Sequence, residues 1–243
     1  MRAATVSLLR LLGVQSGWTY ERMGGIGVAF AAAPLLDEGV AADRRAGALA
    51  RSAEFFNSHP WLAGLAVGAE ARAERDGVPA EQIQRLRAAL GGPLGALGDR
   101  VFWAGLIPIL SAVAVIGAGL AGWALPVLAV VLASALRWEV TRWSLRRGLE
   151  SGMRVATVLK DCMLSRIATA VGITAAAATG LAATFVARGA VARVAPDLAA
   201  WPVLLGGAVG LAVVLKAGAR LPAHRLALVA GGLALILWQM VKP

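Results

Sequence analysis

The chain has 243 residues, 58% of them hydrophobic, with a mean hydropathy of +0.70 and a formal net charge of +10. A soluble domain sits nearer half apolar, so the excess of Ala, Leu, Val and Gly points to helices packed through small residues in lipid, and the positive charge to basic loops on the cytoplasmic side. One cysteine, Cys162, and two distant histidines, His59 and His224, exclude an internal disulfide and a zinc cluster, and there is neither a phosphate-binding loop, a serine-hydrolase elbow, nor a basic stripe interleaved with aromatics. No cofactor, no metal and no nucleic-acid partner is therefore expected.

Met1 to Val14 is apolar with Arg2 and Arg10 and lacks a clean small-residue cleavage site. It reads as a retained amphipathic helix at the membrane interface. Gly17 to Met23, GWTYERM, sets Trp18 and Tyr20 beside Glu21 and Arg22, a composition suited to headgroup level. Gly24 to Leu36 is an apolar run too short to span, so it is expected to be interfacial or re-entrant, closed by Pro34. Asp37 to Glu54 mixes charges with alanine and predicts a solvated helix.

In Phe55 to Trp61, FFNSHPW, an Asn or Ser before Pro predicts a helix start, with the helix running Trp61 to Arg75. Gly64 and Gly68 give that helix a face for close approach. Asp76 to Pro79 breaks it, and Ala80 to Leu90 is a short polar helix. Gly91 to Trp103, GGPLGALGDRVFW, reads as a glycine- and proline-rich turn ending in an isolated acid. Irregular backbone at membrane depth is tolerated only where protein buries it or where it lines a cavity, which makes this turn the first place to look for a site.

Val101 to Leu136 carries no ionisable side chain and is too long for one crossing of about 30 Å, so it must bend at Pro108, the glycines near Gly119, or Pro126. A tight hairpin and a broken helix both fit. Arg137 to Arg166 is a basic, cytoplasmic connection in which Trp138 and Trp143 mark an interface. Ile167 to Ala187 is a full span, Arg188 to Asp197 a short loop, and Leu198 to Leu215 a second span with Gly206 and Gly210 as a close-packing pair. Lys216 to Arg225 is basic again, and Leu226 to Val241 is a last, shorter span that leaves the C-terminus outside. The fold class expected is an all-α integral membrane protein, one domain over 1–243. Its first part, 1–100, holds interfacial and re-entrant helices, and 101–243 holds a bent hairpin followed by further transmembrane helices.

Three ordered blocks carry a family resemblance. GWTYERM is similar to a W-N-Y-E-R-M opening, FFNSHPWLAG at Phe55–Gly64 to F-F-N-T-H-P, and GGPLGALGDRVFW to M-G-P-L-A-G-I-G-D-x-x-F-W. A weaker fourth, Gly148 to Gly152, sits where the family has G-Y-x-x-G. Over roughly residues 17 to 166 the chain resembles the IID membrane subunit of the mannose/fructose/sorbose class of the bacterial phosphotransferase system. The resemblance implies a location in the inner membrane and a IIC partner with which IID forms a sugar pathway as a trimer of heterodimers. It further implies cytoplasmic IIB and IIA phosphocarriers, and uptake of a hexose coupled to phosphorylation of its 6-hydroxyl. On its own the chain is expected to carry no catalytic residue. It departs from the family in Ala96, where a glycine is lost, in Glu74–Arg75, where paired glutamates stand, and in a missing polar insertion near Arg188–Ala200. A diverged, non-transporting scaffold or regulator is the alternative these departures leave open.

The residues expected to meet substrate are Asn57, His59, Glu74 and Asp99. An amide and an imidazole at a helix start can bind hydroxyls, or they can serve as an N-cap and a satisfied histidine. Glu74 matches one family carboxylate, or simply pairs with Arg72 or Arg75. Asp99 is a costly carboxylate at membrane depth: it can accept sugar hydroxyls or orient the 6-hydroxyl, and it can equally cap the next helix or pair with Arg100. Gly92, Pro93, Gly95 and Gly98 are read as conformational, with Trp103 beside them, and Trp61 and Trp103 as rings able to stack on a sugar face.

Overall fold

A computed structural model describes residues 2–206. The expected spans and loops beyond residue 206, including the C-terminal side of the membrane, lie outside the described residues. Contacts divide the chain into two units, one made of Met1–Asp99 and Ser134–Arg166, the other of Arg100–Ala133 and the chain from Ile167 onward.

In the first unit, α1 (Arg2–Leu12), α2 (Gly25–Gly39), α3 (Ala42–Ser52), α4 (Ala63–Arg75) and α5 (Ala80–Gly98) follow one another, and the later part of α7 (Ala124–Ser151) and the short α8 (Val155–Asp161) complete it. No strand is formed among the described residues, only isolated bridges at Met23. The centre is α4. Its residues from Ala63 to Ala71, together with Ala73 and Glu74, are buried, as expected for a helix that is apolar and small nearly all round. Neighbours reach it through glycine. A Cβ added to Gly64 would lie 2.4 Å from Ser144 Oγ, and one at Gly68 would lie 2.6 Å from the Leu145 carbonyl. Gly148 answers from α7, where a Cβ would meet the Leu65 carbonyl at 2.4 Å. The expected close-approach face of Gly64 and Gly68 is thus used, and its partner is the fourth motif block.

The second apolar stretch differs from its expectation. α2 does not close at Pro34 but runs through it to Gly39, packed against α1, α3 and α4. Proline has no N–H to give the carbonyl of Phe30, four residues back. Arg10 of α1 fills that gap: its guanidinium donates to the Phe30 carbonyl at 2.9 Å and lies 4.3 Å from the centre of the Phe30 ring.

The expected turn at Gly91 to Trp103 is likewise helix. α5 continues through Gly91, Gly92 and Pro93 to Gly98, and Asp99–Leu106 goes on as a π-helical segment into α6 (Ile107–Ala121). This gives a helical run of 42 residues, Ala80–Ala121, and its uncharged part from Val101 extends about 31 Å at 1.5 Å per residue, the thickness of a bilayer core. Gly122, at φ +64°, turns the chain into α7. A Cβ at Gly117 would fall 2.3 Å from Leu125 Cβ, so the two legs touch. Of the two readings of Val101 to Leu136, the hairpin is the one formed. Its tip is apolar and open, with Leu120 72% and Trp123 81% exposed.

α7 takes in the first half of the expected basic connection, up to Ser151, as helix. α9 (Met163–Val194) contains the expected span Ile167–Ala187 and carries on through the expected loop at Arg188. The runs Ala80–Ala121 and Ala124–Val194 are long and apolar enough to cross a membrane.

The glycines separate into two kinds. Gly68→Val drives a branched side chain into the backbone of α7 and is expected to destabilise by about 3 kcal/mol or more. At Gly172 and Gly180 of α9 an added Cβ meets nothing within 4 Å among the described residues, so Ala there should stabilise by about 1 kcal/mol through helix propensity. Thermal unfolding of the purified protein in detergent, comparing the three variants, checks both signs.

Candidate functional site

The first two motif blocks and Gly91–Asp99 of the third lie in the first unit. GWTYERM folds into a tight loop in which Thr19 and Met23 exchange backbone hydrogen bonds of 3.2 and 2.7 Å, and Met23 sits at φ +48°, a strained value for a non-glycine residue. The loop then grips the second block. Gly24 N–H donates to the Phe56 carbonyl at 2.9 Å, and Phe56 N–H to the Arg22 carbonyl at 3.2 Å. The segment Glu54–Leu62 is irregular rather than helical, because α4 begins only at Ala63 with Leu62 as its cap. Asn57 is therefore not the N-cap of α4.

This irregular segment lies on α5. Gly91, Gly95 and Gly98 fall at positions i, i+4 and i+7 and share one face of that helix. A Cβ at Gly91 would come within 3.1 Å of the Asn57 carbonyl, one at Gly95 within 3.9 Å of Ser58 Cα, and one at Gly98 within 2.1 Å of His59 Cβ. The conformational residues of the third block are thus Gly91, Gly95 and Gly98. Gly92 is exposed and an added Cβ there meets nothing, and Pro93 is exposed. Trp103 is 47% exposed on the π-helical segment.

His59 is buried at 1% exposure, with its ring edge-on to Trp61 and the Trp61 N–H donating to Nδ1 at 3.3 Å. Burial, and secondarily the positive charge of Arg137, lower its pKa from 6.5 to about 4, so the ring is neutral at pH 7. Asn57 is exposed and, with Val14, Trp18, Val28, Phe56 and Ser58, lines a small cleft. Asp99, directly after Gly98, is exposed and helical at φ −60° and ψ −42°. An N-cap requires non-helical backbone, so Asp99 does not cap the next helix. Nor does it pair with Arg100, whose guanidinium donates to the Thr169 hydroxyl at 3.0 Å; among the described residues Asp99 makes no ion pair.

Glu74 is placed elsewhere. It lies at the far end of α4, about 16 Å of helix beyond Ala63. It is buried and pairs with Arg51 of α3 through contacts of 2.7 to 2.9 Å to both carboxylate oxygens, rather than with Arg72 or Arg75. One turn before it, Glu70 is also buried and is paired with Arg87 of α5, whose Nη1 donates to both carboxylate oxygens at 2.9 and 2.8 Å. Burial pushes the Glu70 carboxyl up to about 7 against the opposing pull of Arg87, with the nearby Glu74 charge adding to the rise. Glu70, Arg87 and Arg51 were not singled out from sequence. The available signal was two glutamates at i, i+4 following a run of seven apolar residues on one helix, a face that cannot be buried without basic partners.

The depressed pKa of His59 fixes a sign. Between pH 6.5 and about 4 the unfolded chain takes up a proton that the folded chain refuses, so stability present above pH 6.5 is lost as the pH falls toward 4. His59→Gln should remove this part of the acid loss, which unfolding midpoints measured between pH 4 and 7 for both proteins will show.

Comparison with known proteins places this geometry. The chain is 30% identical over 160 residues to the fructose permease IID component of Bacillus subtilis (strain 168), covering 62% of this chain and 56% of that one. It is 28% identical over 165 residues to the mannose-specific EIID component of Escherichia coli (strain K12), covering 63% and 56%. The chain thus spans little more than half the length of these curated relatives. Among solved structures it is similar in fold to a chain of the mannose transporter ManYZ in complex with microcin E492, with a TM-score of 0.59 at 22% identity over 76% of this chain and 70% of that one. A second, described as a membrane protein, gives a TM-score of 0.65 at 23% identity over 75% and 70%. The family model for the PTS system mannose/fructose/sorbose family IID component matches residues 2–194. With its three motif blocks folded together around His59 and Gly98 and its long apolar helices beyond them, the chain belongs to the IID component family of the mannose/fructose/sorbose phosphotransferase system.

Proposed function

We propose that the chain is the IID subunit of a mannose-class sugar permease in a bacterial inner membrane. It joins a IIC subunit to form the hexose pathway, in a trimer of IIC–IID heterodimers, and cytoplasmic IIA and IIB phosphocarriers supply the phosphoryl group. One observation supports this above the others: the segment Asn57–His59 is seated on the glycine face of α5 one residue before Asp99. Two exposed polar groups, an amide and a carboxylate, therefore border one stretch of close-packed backbone. Sugar hydroxyls are bound by such planar acceptors and donors in a site that is otherwise apolar.

In this reading Asn57 and Asp99 contact the sugar, and His59 is a neutral, buried support that holds the segment rather than a titrating group. Asp99 accepts hydrogen bonds from hydroxyls. It can also orient the 6-hydroxyl as its proton leaves during phosphoryl transfer. Glu74, bound by Arg51 at the far end of α4, belongs to the scaffold. In this reading the phosphoryl donor and the rest of the site belong to the partners.

Co-expression with the cognate IIC, IIA and IIB subunits tests this directly. Membranes holding all of them should take up and phosphorylate mannose or fructose, and Asn57→Ala and Asp99→Asn should each raise KM by about tenfold or more, the scale of a lost hydrogen-bonded contact to substrate. If the wild-type assembly forms yet neither binds nor phosphorylates a hexose, the non-transporting scaffold is the better reading.

A further inference from the structure

Arg87 does more than neutralise Glu70. While Nη1 meets both carboxylate oxygens of Glu70, Nη2 donates to the Ser52 carbonyl at 2.8 Å and to the Glu54 carbonyl at 2.8 Å. The guanidinium also lies 4.7 Å from the centre of the Phe56 ring. One side chain on α5 thereby holds α4, the end of α3, and the three residues leading into Asn57. Both Arg87 and Glu70 are buried, at 4% and 2% exposure. The same helix, eleven residues later, presents Gly98 to His59 and then Asp99.

The stretch Glu54–Leu62 has no helix or sheet of its own to hold it. Its register on α5 is fixed at its start by Arg87, the Gly24–Phe56 and Phe56–Arg22 backbone bonds, and the glycine contacts. Gln84 of α5 adds an exposed side-chain bond to the Glu54 carboxylate at 3.2 Å, and Arg87 bonds the backbone of the stretch to α5 from a buried position. A lysine cannot replace it. Lysine brings one point of charge and three donors on a flexible stem, whereas the planar fork serves two carbonyls and a carboxylate at once and stacks on an aromatic face.

We propose that Arg87 is a positioning residue for the sugar site, setting the Asn57–His59 segment against Gly98–Asp99 through its fork to the Ser52 and Glu54 carbonyls. This rests on the sugar-pathway reading for its consequence, but not for its geometry. Arg87 touches no sugar. Its loss should therefore loosen the distance between Asn57 and Asp99, raising KM while kcat stays near the wild-type value.

The experiment reads geometry and transport separately. In the full chain co-expressed with its partners, with Cys162→Ser as background, Ser58→Cys and Gly95→Cys form one reporter pair, since an added Cβ at Gly95 lies 3.9 Å from Ser58 Cα. Gly39→Cys and Arg75→Cys form the control pair, where the Cβ-to-Cβ distance is 3.7 Å and the link lies outside the segment Arg87 bonds. Copper-catalysed disulfide formation is then timed with and without Arg87→Lys. The Ser58–Gly95 link should slow by about tenfold or more while the control link keeps its rate, and mannose uptake should show the KM rise without a matching fall in kcat. An unchanged Ser58–Gly95 rate overturns the proposal. So does an equal slowing of both links, since Arg87 is then a core residue whose loss loosens the whole unit. A selective slowing in an assembly whose wild-type form carries no hexose upholds the positioning and sinks the sugar-pathway reading instead.

Discussion

Two carboxylates on a buried helix constrain everything around them. Glu70 and Glu74 sit one turn apart on α4, whose residues from Ala63 to Ala69 are all apolar and buried. A buried carboxylate must find a partner or give up its charge. Here each finds an arginine, from α3 on one side and α5 on the other. The two pairs fix where those helices can lie before any apolar contact is considered. Such pairs contribute more to a unique arrangement than to net stability, because desolvation offsets much of the attraction. Their value in this unit is that they act on small residues, whose packing alone would allow helices to slide.

Glycine supplies the complementary constraint. Gly64, Gly68 and Gly148 let α4 and α7 approach backbone to backbone, and Gly91, Gly95 and Gly98 let an irregular segment lie directly on α5. Ion pairs set direction, and glycines set distance. The motif blocks are the places where both are needed. The pattern therefore has structural reasons at many of its positions and leaves the Asn57 and Asp99 side chains exposed.

Sequence made the helical membrane class legible because uncharged runs and small residues have few alternative explanations. It made the motif blocks legible by their order and spacing. It failed where a local signal was overridden by tertiary contact. Pro34 and the Gly-Gly-Pro of α5 are helix breakers in isolation. Arg10 supplies the donor that Pro34 lacks, and Gly91, Gly95 and Gly98 of α5 are seated against the segment 57–59. The partners of the buried carboxylates were hidden for a related reason. Arg51 and Arg87 lie in stretches that are mostly polar, so nothing local distinguishes them from solvated neighbours, and only the fold brings Arg51 to Glu74 across 23 positions and Arg87 to Glu70 across 17. Asp99 had the opposite fate. Its position before an apolar run imitates a cap, and only the continuous helical backbone shows that it is not one.

The first unit is not continuous in the chain, and synthesis has to work around that. Residues up to Asp99 leave the ribosome first, but the face of Gly64 and Gly68 is covered only when Gly148 arrives, 84 residues after Gly64. At about 5 to 20 residues per second this is a wait of about 4 to 17 s, during which the apolar hairpin of α6 and α7 must also enter the membrane. For that interval a helix bearing two acids and a bare glycine groove has α3 and α5 against it but no α7. The arginine pairs, formed entirely within the first hundred residues, join the packing of α2 on α4 in holding the nascent unit together until α7 is made.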